Sequence, residues 1–245
     1  MPVADPTTDL PELSSPEVHH DHRDLAGGWL RPTVFGMMDG LVSNFALIAG
    51  VAGASADTKQ ISLAGLAGLV GGAFSMATGE YVSVQSQNEA AFAELAVERN
   101  ELEHNAEAEL AELAQMYVSR GVDADLAEKV ARQLSHDPDQ ALLIHAQEEL
   151  GVDPHQLPSP WTAAFSSLGS FSLGALLPLL PYLCGAKEIV ISAVVALVAL
   201  FGAGVLASQV TNRSWWFSGA RQLALGIFAA AVTFGVGALF HASVG

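Results

Sequence analysis

Residues Thr33–Ala54 read TVFGMMDGLVSNFALIAGVAGA. The stretch is long enough to cross a bilayer as a helix, which takes about 20 apolar residues. It carries one charge, Asp39. A carboxylate in hydrocarbon costs roughly 2.5–3.5 kcal/mol on insertion scales, and intramembrane acids mark ion pathways and proton relays. Ser43 and Asn44 follow one turn later. Reading outward, the sequence holds four more apolar segments: Ile61–Val84, Trp161–Leu183, Ile189–Ser208 and Trp216–Phe240. The expected fold class is therefore an all-α integral membrane protein with five transmembrane helices.

Charge is segregated to match. Of the 26 acids, 16 lie between Glu80 and Glu149 and six in the first 28 residues. Mean hydropathy is +0.36, high for a water-soluble domain. The expected organisation is an acidic, His-bearing tail at 1–28, two membrane helices within 29–86, a water-exposed helical insert at 87–158, and three membrane helices within 159–245. A net charge of −16 argues against nucleic acid as a partner, because phosphate binding needs basic patches. The single cysteine, Cys184, allows no intrachain disulfide. The N-terminal stretch has neither the basic nor the apolar region of a signal peptide.

Lys and Arg set the expected orientation. With five spans, Arg23, Arg31, Arg99, Arg120, Lys129, Arg132, Arg213 and Arg221 share one side, and Lys59 and Lys187 the other. The positive-inside rule puts the tail and the insert in the cytosol. Abundant alanine and glycine point to a bacterial source, hence to the cytoplasmic membrane rather than a vacuolar one.

The second apolar segment runs into Gln85–Glu103 without a breaker, so its helix is expected to continue into water. Asn105 is an expected helix cap, with Gly121 closing that helix. Asp125 and Glu128 have capping-box spacing. Asp137-Pro138 opens a last helix that Gly151 ends. Glycines 65, 68, 71, 72 and 79 give the second span a surface for close helix packing.

The insert carries the metal chemistry. Between Glu80 and Ser119 there are nine glutamates and one base, Arg99. Glu94, Glu98 and Glu101 share a helix face at i, i+4, i+7. Glu109 and Glu112 are i, i+3 on the next helix, and Glu148 and Glu149 end the last one. Bound cations would relieve this repulsion, and oxygen-rich sites suit Mn²⁺ and Fe²⁺. Glu101 and His104 have the Glu-x-x-His spacing of di-iron bundles, but the second copy such bundles need is missing. His104, His145, Glu94 and Glu148 are further candidate ligands. His19, His20 and His22 read as solvated tail. In the membrane, Met76 offers a thioether, which favours transition ions over Ca²⁺ and Mg²⁺. Glu80, one turn on, marks where a path would open to the cytosol. The sequence has no P-loop, nucleophile elbow or CxxC pair, so no ATP site and no enzyme chemistry is expected.

Asp39-Gly40-Leu41-Val42-Ser43-Asn44-Phe45, and the run from Ser75-Met76-Ala77-Thr78-Gly79-Glu80-Tyr81 through Gln87, resemble the vacuolar iron transporter family. The likeness covers nearly everything from Arg31 onward. It implies a homodimer of five-span subunits, without a cofactor, that exports Fe²⁺ and similar divalent ions from the cytosol in exchange for protons, for iron detoxification and storage. It implies that Asp39 and Met76 line the path, and that Glu98, Glu101, Glu109, Glu112 and Glu149 bind metal. Some relatives carry methionines just before that last glutamate, where this chain has His145 and Ala146. The alternatives are an exporter mainly of Mn²⁺ or Co²⁺, a membrane-anchored ferritin-like oxidase or store, and a metal sensor.

Overall fold

The computed structural model describes residues 28–54, 57–211 and 213–244. The His19, His20 and His22 cluster lies outside them. The described residues form eight helices and no strands: α1 Leu30–Ala54, α2 Thr58–His104, α3 Ala106–Ser119, α4 Ala124–Leu134, α5 Pro138–Glu148, α6 Pro160–Leu183, α7 Ile189–Thr211 and α8 Trp215–Val244. Five of these, α1, α2, α6, α7 and α8, are long and apolar enough to cross a membrane.

The helix α2 is one piece of 47 residues, roughly 70 Å at 1.5 Å per residue. That is about twice the hydrocarbon thickness of a bilayer. No proline interrupts it, so its apolar first half and acidic second half share one axis without a break near residue 86. Asp57 caps its start, accepting from the Lys59 amide at 2.9 Å.

The insert helices start and stop partly as expected. Asp137 caps α5 by accepting from the Asp139 and Gln140 amides, and Pro138 occupies its first turn. Gly121 (φ +95°) and Gly151 (φ +63°) follow α3 and α5 in the left-handed region that glycine tolerates. Two expectations need correction. Asp123, not Asp125, caps α4, because its side chain accepts from the Asp125 and Leu126 amides. Asn105 sits between α2 and α3 without a side-chain cap bond. Its amide nitrogen donates instead to Glu101 Oε2 at 2.6 Å.

Within the apolar half, α1 is the hub and packs on α2, α6, α7 and α8. Leu41, Phe45 and Ala49 of α1 form a buried cluster with Ala196 and Leu200 of α7 and Ala230 of α8. Ile48 joins Ile61, Leu179 and Tyr182. The α1–α6 crossing is nearly backbone to backbone. A Cβ at Gly40 would collide with the Phe171 carbonyl, and one at Gly174 with the Met37 carbonyl. In lipid, helices associate through such close approaches, not through a hydrophobic drive. Gly174→Leu is therefore expected to cost about 1–3 kcal/mol or more by overpacking. Gly202→Ala, which meets nothing within 4 Å, should stay within about 0.5 kcal/mol. Thermal unfolding in detergent checks both. Of the second-span glycines, 65, 68 and 72 do pack against α1 or α6 side chains, whereas Gly71 and Gly79 face open space.

Exposed apolar side chains such as Phe74, Val198, Phe228 and Leu239 give the five spans an exterior suited to hydrocarbon. Trp29, Trp161, Trp215 and Trp216 are exposed. They stand at the starts of α1, α6 and α8, the ends nearest the insert. Tyr81 on α2 lies at the same level, its ring 4.8 Å from that of Trp161. Such a belt marks a membrane–water interface.

Candidate metal centre

Four side chains from three helices converge in the insert. Glu98 comes from α2, Glu109 from α3, His145 from α5, and Glu149 from the C-cap of α5. One ligand atom from each lies within 4.8 Å of all the others. His145 is the centre: its Nδ1 is 2.8 Å from Glu149 Oε1, 3.0 Å from Glu98 Oε1 and 3.7 Å from Glu109 Oε2. His145 is fully buried, and Glu98 and Glu109 are 9% and 8% exposed. Leu95, one turn before Glu98, and Leu113, one turn after Glu109, are buried beneath the acids. The same helix stripes thus bury leucine and carry the carboxylates.

Three carboxylates around one imidazole carry an excess of negative charge that protein cations do not offset. Burial first, then the charge of Glu149, raise the Glu98 carboxyl to about 7; His145 pulls the other way, and Glu109 and Glu112 add smaller upward pushes. Burial and Glu112 likewise push Glu109 up. The hydrogen bond of His145 Nδ1 is with Glu149, so Glu98 Oε1, although 3.0 Å from that nitrogen, and His145 Nε2 are buried without hydrogen-bond partners among the described residues. Three oxygens and one nitrogen at these spacings suit a borderline divalent ion such as Fe²⁺, Mn²⁺ or Zn²⁺.

This geometry carries a pH dependence. An ion must displace the Glu98 proton, so affinity should fall as pH drops through about 7, approaching tenfold per pH unit. The metal-free fold has its own sign. A carboxyl whose folded pKa lies above its unfolded value stabilises at low pH, and that stability is lost as pH rises through about 7. Manganese titrations at pH 6 and pH 8, paired with thermal unfolding of the metal-free protein, check both signs.

The other candidate ligands are not among the four that converge. Glu101 and Glu112 act on it through charge, Glu112 on both Glu98 and Glu109, and Glu101 on Glu109. Glu94 is exposed one turn nearer the apolar half of α2. His104 is exposed, with its Nδ1 on the Asn100 carbonyl at 2.8 Å, away from the four. Glu148 is engaged by Arg120 and lies 3.5 Å from the Tyr117 hydroxyl.

A second polar site lies in the apolar half. A cavity of about 390 Å³ between α1, α2 and α6 is lined by Asp39, Ser43, Asn44, Met76 and the glycines 68 and 72, among others. It brings the acid of the first span and the thioether of the second together. Met76 also borders an adjoining recess of about 210 Å³, lined by Glu80, Arg31, Phe35, Gly79 and Ser83. Glu80 thus stands at the insert end of the same line of cavities.

The model of the VIT family matches residues 30–238, which take in all the described helices apart from the last turns of α8. The chain belongs to the VIT family. Relatives include the vacuolar iron transporter of Acanthamoeba castellanii, 39% identical, with 89% of this chain and 82% of that protein covered. The Centaurea cyanus vacuolar iron transporter is 32% identical over 89% of this chain and 90% of that one. Vacuolar iron transporter 1 of Arabidopsis thaliana is 30% identical, with 91% of each covered. Membership in the VIT family and five apolar helices make this an integral membrane protein.

Proposed function

We propose that the protein exports Fe²⁺, and also Mn²⁺, from the cytosol across the membrane in exchange for protons. One observation carries the reading: two metal-capable sites share the single helix α2. Glu98 of the insert cluster and Met76 of the membrane cavity are 22 residues apart, roughly 33 Å along the helix. The insert cluster collects the ion, which then passes by Glu80 to Asp39 and Met76. Asp39 trades the ion for a proton, as an isolated acid in an apolar span can. The names of the relatives support iron as the ion.

The insert lies in the cytosol in this reading. Arg31, Arg213 and Arg221 near the insert-side membrane ends support that orientation. Two copies of the chain form the transporter, and a bacterial cytoplasmic membrane is its location. The ferritin-like alternative is disfavoured by His104, which bonds its own helix and leaves Glu101 without a histidine partner.

Transport by purified protein in liposomes with an internal pH dye tests the proposal. Fe²⁺ and Mn²⁺ should drive a pH change in the lumen, and Ca²⁺ should not. Oxygen consumption on Fe²⁺ addition, without ion uptake, would favour the oxidase instead. Orientation has its own test in a Cys184→Ala background. Ser243→Cys should react with an impermeant thiol reagent applied from outside cells, and Ser119→Cys should not. The reverse labelling pattern would invert the topology.

A further inference from the structure

Asn44 is 2% exposed in the middle of α1. Its Nδ2 donates to the Ala175 carbonyl of α6 at 2.6 Å. A carbonyl can only accept, so this bond fixes which way the amide points. The oxygen Oδ1 is turned toward α2, where it is buried without a hydrogen-bond partner. Leaving a buried acceptor unmade is unfavourable, and hydrocarbon supplies no water to satisfy it. The residue facing it is Gly68, where an added Cβ would stand 2.7 Å from Oδ1. Position 68 has no side chain to cover this oxygen, and Asn44 and Gly68 both line the cavity that Asp39 and Met76 also line.

We propose that Asn44 Oδ1 is a further ligand of the membrane site, joining the Asp39 carboxylate and the Met76 thioether on a divalent transition cation. The inference rests on the membrane path proposed above. An amide oxygen is a hard, neutral ligand that suits Mn²⁺ and Fe²⁺. Being neutral, it adds coordination without adding charge, and among the described residues lining the cavity Asp39 remains the only formal charge. The cation supplies the partner that Oδ1 lacks, and the Ala175 bond holds the amide ready for it.

Mn²⁺ binding to the full chain in detergent, followed by electron paramagnetic resonance, tests this. The background is Glu98→Gln, Glu109→Gln and His145→Ala, so that the insert cluster is disabled. Asn44→Ala removes the oxygen. Gly68→Ala keeps the Asn44 amide but sets a methyl 2.7 Å from Oδ1 and 2.5 Å from Leu47 Cδ2, the far end of a flexible side chain that can turn away. Alanine is also the better helix former, so this arm decides if Asn44→Ala does not fold. Each variant should weaken Mn²⁺ binding about tenfold or more, and Asp39→Asn should abolish it. If both variants bind within twofold of the background while Asp39→Asn loses binding, Asn44 is a packing residue and the path stands. If Asp39→Asn keeps its Mn²⁺ affinity, or the background binds no Mn²⁺, the membrane path and this inference fall together.

Discussion

Asp39→Asn should reduce metal-driven proton movement in liposomes by roughly 100-fold, a barrier change of about 2.7 kcal/mol, while the protein still inserts and packs. Asparagine keeps the size and hydrogen-bonding capacity of aspartate but can neither ionise nor carry a proton. Asp39 packs little in the single chain, where it is exposed beside the cavity it lines. Its loss should therefore leave the unfolding temperature nearly unchanged. Asp39→Ala should match Asp39→Asn in transport. If Asp39→Asn retains normal pH-coupled flux, the proton-carrier role is wrong, whatever the metal does.

A second large effect is expected in the insert. Glu98→Gln with Glu109→Gln and His145→Ala removes three of the four converging groups and should lower divalent-ion affinity there by about 100-fold or more. Glu101→Gln with Glu112→Gln should lower it by about tenfold or less, because those two acids act through charge outside the four-residue cluster. Glu98→Gln with Glu109→Gln alone, leaving the buried His145 in place, should also raise the metal-free unfolding temperature, since burial and mutual repulsion disfavour the two acids. Calorimetry on the full chain with Mn²⁺ reads affinity and heat together. Equal losses from the two sets would place the site on the outer acids instead.

The spans were legible because a twenty-residue apolar run has few soluble explanations, and Asp39 stood out against that background. The continuity of α2 was legible too, since nothing between Gly79 and His104 stops a helix. Caps were less so. Asp123 and Asp125 are both good capping residues two positions apart, and the chain path after Gly121 chooses between them. The insert site was half legible. The glutamate face of α2 identifies Glu94, Glu98 and Glu101, yet the level at which α3 and α5 meet α2 admits only Glu98. His145 and Glu149 stand at i, i+4 on one helix face, a ligand spacing as good as the Glu101–His104 pair. The latter fails because His104 ends its helix and turns to the Asn100 carbonyl. Asn44 was visible beside Asp39, but its fixed amide depends on Ala175, 131 residues away, which no local pattern reveals.

Because α2 runs unbroken from the membrane cavity to the insert, a tilt about the level of Met76 would move it as a stiff lever. With an arm of ~33 Å, a tilt of about 5° in the membrane would swing Glu98 by about 3 Å. That displacement is comparable to the spacings that hold the four ligand groups together. Loading or emptying the insert would thus exert torque on the membrane cavity, and motion there would loosen or tighten the insert's grip on its ion. A flexible hinge of several glycines inserted near Ser86 would uncouple the two ends, leaving ion capture intact while transport fails.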